Sequence, residues 1–396
     1  MNILFYRYDS ICEPDIIAGF KTLGHNVTEI TEEIYNKKIT PAEGVEIVKH
    51  ALFKGQYDFV FSVNFYPFIS EVCNIIKIRY LCWTVDSPVL ELYASSVTNP
   101  WNRIFLFDLA QYETFHPLNP DCVFHMPLAS NPARWNHVIT SASPAQVAHF
   151  SKNVAFVGSL YTEKCPYDEL KDAPAYLTGF LEGIMSAQQK IYGHNFIEEV
   201  LPDEIVLAFK AHHPNFYIAP ETATCSDRTI MAQKYIDVKI SAMERLHTMK
   251  LLGSRYQVDL YTGSDTTGLP VINHGFANTL TEMPLIFHNS KINLNMTSKS
   301  IHSGIPLRVF DVLGCEGFLI TNYQAELPEY FSLGNDLEYY TTDDELLAKV
   351  DYYLCHESDR REIAHNGLEC VLKYHNYPER LLDMIALAYG ITGGKE

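Results

Sequence analysis

The sequence predicts an α/β protein made of two Rossmann-like lobes, each a doubly wound and mainly parallel sheet. Three observations carry this. The 396 residues exceed one ordinary core and fit two domains. Short apolar runs alternate with helix-period stretches over roughly the first 130 residues, and strands that alternate with helices imply right-handed crossovers. After an irregular interval, the same alternation restarts at Val154.

The first lobe is expected over residues 1–130. Asn2 to Tyr8 reads as a buried strand. Ile16, Ile17, Phe20 and Leu23 then share a helical face, and Gly24 ends that helix. Further strands are predicted at Val27–Ile30, Tyr57–Val63, Tyr80–Val85, Arg103–Phe107 and Val123–Pro127. Helices at Ala42–Phe53 and Phe68–Ile76 fall between them. Residues 131–153 are rich in Ser, Ala, Asn and Pro and read as a linker. The second lobe, 154–375, opens on the strand Val154–Ser159 and carries a helical insertion at about 165–250. Its later strands are Val258–Thr262, Ile292–Asn295 and Phe318–Thr321, followed by helices at Asp344–His356 and Asp359–Tyr374. Residues 376–396 are expected to form a C-terminal helix that packs back on the first lobe.

Composition narrows the function classes. The net charge of −18 repels a phosphate backbone and an anionic membrane surface, so nucleic acid is not an expected partner. Nine scattered cysteines, an odd number without C-x-x-C spacing, read as reduced thiols. The chain starts directly on a strand, without a signal-like segment, and no apolar run reaches the ~20 residues of a membrane span. A cytoplasmic protein without stable membrane insertion is therefore expected. There is no compact Cys/His set for a metal, no G-x-x-x-x-G-K-[ST] loop and no G-x-S-x-G elbow. The first strand runs into Arg7-Tyr-Asp-Ser10 rather than a Gly-rich fingerprint.

The strongest constellation follows strand Ile292–Asn295. A polar loop, Met296 to Gly304, leads to Pro306, which is placed to open a helix reaching Gly314. The loop offers Thr297, Lys299, His302, Ser303 and the Gly304 backbone. Free N–H groups and the positive end of a helix dipole suit a diphosphate there. Arg308 and Asp311 are three apart and share a helix face. Arg308 can clamp phosphate oxygens and Asp311 can accept from a ribose diol. An ion pair that only decorates the helix is the competing reading.

This segment resembles the C-terminal domain of spore-maturation-type glycosyltransferases, in the group-1 GT-B class. The resemblance rests on Ile292-Asn-Leu-Asn-Met-Thr297, Ser303-Gly-Ile-Pro-Leu-Arg-Val-Phe-Asp-Val-Leu-Gly314, Gly317-Phe-Leu-Ile-Thr-Asn-Tyr323, Glu326-Leu-Pro328 and Glu282-Met-Pro-Leu-Ile-Phe287. In the first lobe the similar pieces are Tyr57 to Tyr66, Trp83-Thr-Val-Asp-Ser-Pro88 and Phe105-Leu-Phe-Asp108. The resemblance implies two lobes whose sheets face an interdomain cleft, a nucleoside-diphosphate-sugar donor (a UDP-sugar by default) and no metal or other cofactor. It gives the ribose to Asp311. Where the class carries another donor-site carboxylate, this chain has Ser303. Gly158 and Ser159 would approach the donor phosphates, Gly263 marks a similar strand-end turn, and His274-Gly275-Phe276 would lie near the nucleobase.

In the acceptor-side lobe Asp86 ends a strand and is the candidate base or acceptor-binding group. Asn64 has the same placement. Asp108 is a further acceptor-side candidate, or a helix N-cap. Asp86, His302 and Arg308 form the expected catalytic set. The expected activity is glycosyl transfer to an unknown acceptor. A nucleotide-sugar epimerase and a non-catalytic two-lobe binding protein are the alternatives.

Overall fold

The computed structural model describes residues 1–220 and 222–391. The chain divides into two units. The first comprises Met1–Ser130, the stretch Pro220–Thr224 and the chain from Tyr374 onward, and the second comprises the remainder.

In the first unit the apolar runs become strands β1 (Asn2–Tyr6), β2 (Asn26–Ile30), β3 (Phe59–Val63), β4 (Arg79–Trp83), β5 (Asn102–Leu106) and β6 (Val123–His125). Their order across the sheet is β2-β1-β3-β4-β5-β6, and all pairings are parallel. Every residue of β3 is buried, as a strand covered on both faces requires. The first helix ends at Thr22, and Gly24 takes φ +80°, the conformation for which glycine was read as the stop. Helix Pro41–Lys54 begins with a reciprocal capping box between Thr40 and Glu43. The C-terminal helix Tyr377–Tyr389 packs on this unit. Tyr377 meets Trp83 edge-on at 6.0 Å, and Arg103 Nε donates to the Ala388 carbonyl at 3.0 Å. Of the span expected as that helix, residues 392–396 lie outside the described residues.

The second unit holds β7 (Val154–Val157), β8 (Val258–Tyr261), β9 (Ile272–Asn273), β10 (Ile292–Asn295), β11 (Leu319–Asn322) and β12 (Glu338–Tyr340). The order is β12-β11-β10-β7-β8-β9, again wholly parallel. Two of these strands escape sequence reading: β9 has only two residues, both exposed, and β12 carries Glu338. The stretch expected as a linker contains two capped helices, Pro132–Thr140 and Pro144–Phe150. Its Asn, Ser and Pro residues are helix-start signals: Asn131 accepts from Arg134 N, Ser143 and Gln146 form a capping box, and prolines follow both caps.

The insertion has a core of its own, built on Leu177, Leu181, Phe209, Tyr235 and Ile240. It ends in the long helix Asp237–Gly253, entered through a π-helical stretch, Met231–Ile236. Among the described residues, no helix is long and apolar enough to cross a membrane.

Candidate active site

Open parallel sheets bind ligands beyond the carboxyl ends of their strands, where the strand order reverses. That point lies between β1 and β3 in the first unit and between β7 and β10 in the second. Polar candidates gather at both.

In the first unit, Asn64 follows β3 with φ +59°. This left-handed turn is one that asparagine tolerates better than most residues. Its side chain joins three strand ends. Asn64 Nδ2 donates to Asp86 Oδ2 at 2.7 Å and to Tyr8 Oη at 2.9 Å, while its Oδ1 accepts from Val85 N at 3.0 Å. Tyr8 Oη also donates to Asp86 Oδ2, at 3.3 Å. Burial first, and the Asp86 charge next, push the Tyr8 phenol up, so it remains a donor. The loop carrying Tyr8 is fixed by the buried carboxylate of Glu13, which accepts from Tyr8 N at 2.8 Å, Asp9 N at 3.2 Å and Arg7 Nε at 3.0 Å. Asp86 is itself exposed. Oδ2 is thus held by two donors, while Oδ1 takes no hydrogen bond among the described residues. Asp108 does not join this cluster. It is fully buried, and its carboxylate accepts from Ala110 N at 3.0 Å as the N-cap of helix Leu109–Phe115.

In the second unit, the helix after the polar loop runs Leu307–Gly314, with Pro306 at its N-cap rather than its first turn. Arg308 and Asp311 share a face as expected, with Nη1 3.7 Å from Oδ2. The Arg308 guanidinium also lies over Phe287, 5.1 Å from the ring centroid, and Nη1 contacts Met283 Sδ at 3.2 Å. Burial lowers its basicity and Asp311 partly restores it, but an arginine stays charged throughout. Its Nε and Nη2 donate to no protein group among the described residues. Ser303 Oγ donates to Glu326 Oε1 at 2.8 Å, and the Gly304 carbonyl accepts from Gln324 Nε2 at 3.3 Å. The polar loop is therefore braced by the segment following β11.

Lys299 and Thr297 are placed differently from the expectation. Lys299 is only 8% exposed and turns inward. Its Nζ lies 3.3 Å from Glu244 Oε2 and 4.3 Å from the Tyr192 ring centroid. The insertion offers this buried counter-charge, a contact that the local sequence of the loop does not reveal. Thr297 is buried too, with its N–H on Asn322 Oδ1 at 2.8 Å. Lys299→Met leaves the Glu244 carboxylate buried without its cation and is expected to cost about 3 kcal/mol. Adding Glu244→Gln should recover most of it. Denaturant melts of the three variants check this, and a single-variant loss near zero would show the pair to be hydrated.

Gly158 and Ser159 follow β7. Ser159 Oγ donates to Glu163 Oε1 at 2.8 Å, and its carbonyl accepts from Arg245. On the other side of β8, Gly263 and Phe276 come together. A Cβ on Gly263 would meet the Phe276 ring at 2.2 Å, so only glycine admits that ring. Phe276 is otherwise exposed, and Gly275 turns the chain into it with φ +79°. His274 is stacked on Tyr261 and held by buried Asp259, 2.7 Å from Nε2.

Tyr8, Asp237, Glu244 and Arg245 are the neighbours that sequence reading misses. Tyr8 could have been found from its place just after β1. The other three lie in or beside the insertion, where no motif stands out. Arg245 bridges the switch point, donating to the carbonyls of Ser159 after β7 and Met296 after β10. Among the described residues, no group of three or more His, Cys, Asp and Glu side chains is arranged to hold a metal ion.

Residues 239–386, which include Arg308, Asp311 and their loop, match a family described as glycosyl transferase-like. The chain carries a glycosyltransferase domain. No curated protein matches the chain. Among solved structures, the sucrose-phosphate synthase of Thermosynechococcus elongatus aligns with a TM-score of 0.56 at 10% identity, covering 99% of both chains. Anabaena HepE in complex with UDP-glucose aligns at 0.55 and 9%, covering 98% of this chain and 100% of that one. A UDP-forming α,α-trehalose-phosphate synthase from Burkholderia xenovorans aligns at 0.53 and 12%, covering 99% of each. At such identities the likeness concerns the fold, and the glycosyltransferase has the GT-B fold.

Proposed function

We propose that this glycosyltransferase, of the spore-maturation type, moves a sugar from a UDP-sugar to a hydroxyl acceptor. The observation that carries the donor reading is the Arg308–Asp311 face, which opens the helix directly after the loop His302–Gly304 within the matched domain. UDP is favoured because the similar structures include one described with UDP-glucose and one described as UDP-forming.

Little covalent chemistry is asked of the protein. The leaving diphosphate gains negative charge as the glycosidic bond breaks, and prepositioned cations stabilise it. Arg308 and His302 supply that charge, and Asp311 takes the ribose hydroxyls. Ser303, tied to Glu326, supplies a hydroxyl where a carboxylate was expected. In the first unit Asp86 accepts the proton of the acceptor hydroxyl, with Asn64 and Tyr8 fixing its carboxylate. Side-chain cations take the place of a metal.

A thermal-shift screen across UDP, GDP, dTDP and ADP tests the donor. A ligand at 100 times its Kd stabilises the folded state by about 2.7 kcal/mol, so UDP should raise Tm by several degrees and the others by less. Incubation with UDP-sugars should then release UDP. An isomerised sugar-nucleotide without UDP release would identify an epimerase instead, and binding without any turnover would identify a binding protein.

A further inference from the structure

We propose that Asp237 is a positioning residue that keeps the imidazole of His302 cationic beside the donor diphosphate; this rests on the donor-site reading above. Asp237 comes from the insertion, far from the loop in sequence, yet Oδ2 lies 3.4 Å from His302 Nε2. Its other oxygen accepts from Asn195 Nδ2 at 2.8 Å, and the same Asn195 amide donates to the Lys299 carbonyl at 3.0 Å. One side chain thus ties the carboxylate to the donor loop itself. The helix that presents Asp237 is re-phased just before it by the π-helical stretch Met231–Ile236, a distortion that often accompanies functional positions.

Burial makes this arrangement more than a surface ion pair. Asp237 is fully buried, while the His302 side chain remains 27% exposed. A carboxylate without water is costly unless a cation or hydrogen bonds answer it. Two cations act on Asp237, the His302 ring and Lys299. Lys299 is already engaged by Glu244 at 3.3 Å, and on the helix after the loop Arg308 is engaged by Asp311 at 3.7 Å. His302 is the one of the two that touches the Asp237 carboxylate directly. Burial holds the Asp237 carboxyl above its ordinary value, and the bonds from His302 and Asn195 oppose that, so carboxylate and imidazolium stabilise one another. In this pair the buried member orients the ring and the half-exposed member faces the ligand, the division of labour of a carboxylate behind a working histidine. The proton stays on His302, and no bond to the ligand forms.

The sign follows from the pairing. Removing the carboxylate removes what favours the imidazolium, so the ring deprotonates at lower pH. UDP affinity, measured by calorimetry from mildly acidic to mildly basic pH, is expected to fall as pH rises in the wild type. In Asp237→Asn the same fall should come about one pH unit lower. Asp237→Glu should restore part of the shift, and His302→Gln should flatten the dependence. Because Asp237 is buried, Asn195→Ala is read in parallel. It loosens the carboxylate without deleting it and should move the limb the same way by less. A wild-type pH profile in Asp237→Asn, with only Tm reduced, would overturn the inference, as would a flat wild-type profile. A wild type that binds no nucleoside diphosphate at any pH would overturn the donor reading, and this one with it.

Discussion

Asp86→Asn is expected to abolish sugar transfer while leaving UDP binding intact. Position and environment both argue for this. Asp86 follows β4, one strand away from the reversal between β1 and β3, and is exposed. Asn64 at 2.7 Å and Tyr8 at 3.3 Å both address Oδ2, which orients the carboxylate and leaves Oδ1 to receive an acceptor proton. General base catalysis contributes about 10²–10⁴-fold, and the amide keeps the shape while losing the basicity, so turnover should fall within that range. Tyr8→Phe and Asn64→Ala should lose less, because each removes one of two donors and keeps the base. Single-turnover rates with saturating donor, alongside calorimetry with UDP, separate chemistry from binding. Transfer in Asp86→Asn at more than a tenth of the wild-type rate would remove Asp86 as base. If the enzyme retains configuration, the same substitution shows instead as weakened acceptor affinity.

How far the sequence reached depended on whether a feature was local. Apart from the two-residue β9 and the Glu338-bearing β12, the strands of both sheets announced themselves as short apolar runs, because a strand covered on both faces must be apolar along its length. The helix Leu307–Gly314 was legible from its proline, its glycine and the face shared by Arg308 and Asp311. What escaped was set by distant neighbours. Lys299 looks like a phosphate ligand in a loop of hydroxyls, and only the insertion reveals Glu244 and Tyr192 waiting for it. Asp108 read equally as an acceptor contact or a cap, and burial with Ala110 N makes it the cap. Asp237 and Arg245 sit in a helix with scarcely any amphipathic stripe, for it is buried along much of its length by both the insertion and the sheet. Tyr8 lay in plain view after β1, but nothing in Arg7-Tyr8-Asp9 says that Asn64 crosses the sheet's reversal point to meet it.

The Arg308–Asp311 face offers the second large effect, because two readings of it predict different losses. If it is only an ion pair of the helix, removing Arg308 leaves the buried Asp311 carboxylate without its cation and costs stability, and nucleotide binding should not notice its removal. If Arg308 clamps the diphosphate, Arg308→Ala deletes a charge-assisted contact worth roughly 1.5–3 kcal/mol, or ten- to a hundred-fold in UDP affinity. The fragment dependence then divides the roles. Arg308→Ala should weaken UDP strongly and uridine little, since uridine carries no phosphate. Asp311→Ala should weaken both, since both carry the ribose diol. Arg308→Lys should recover only part of the loss, because an ammonium cannot reproduce the fork that meets two phosphate oxygens together. Calorimetry of UDP and uridine on the three variants settles the assignment: wild-type UDP affinity in Arg308→Ala would move the diphosphate elsewhere, and an Asp311→Ala protein that binds uridine normally would free that carboxylate from the ribose.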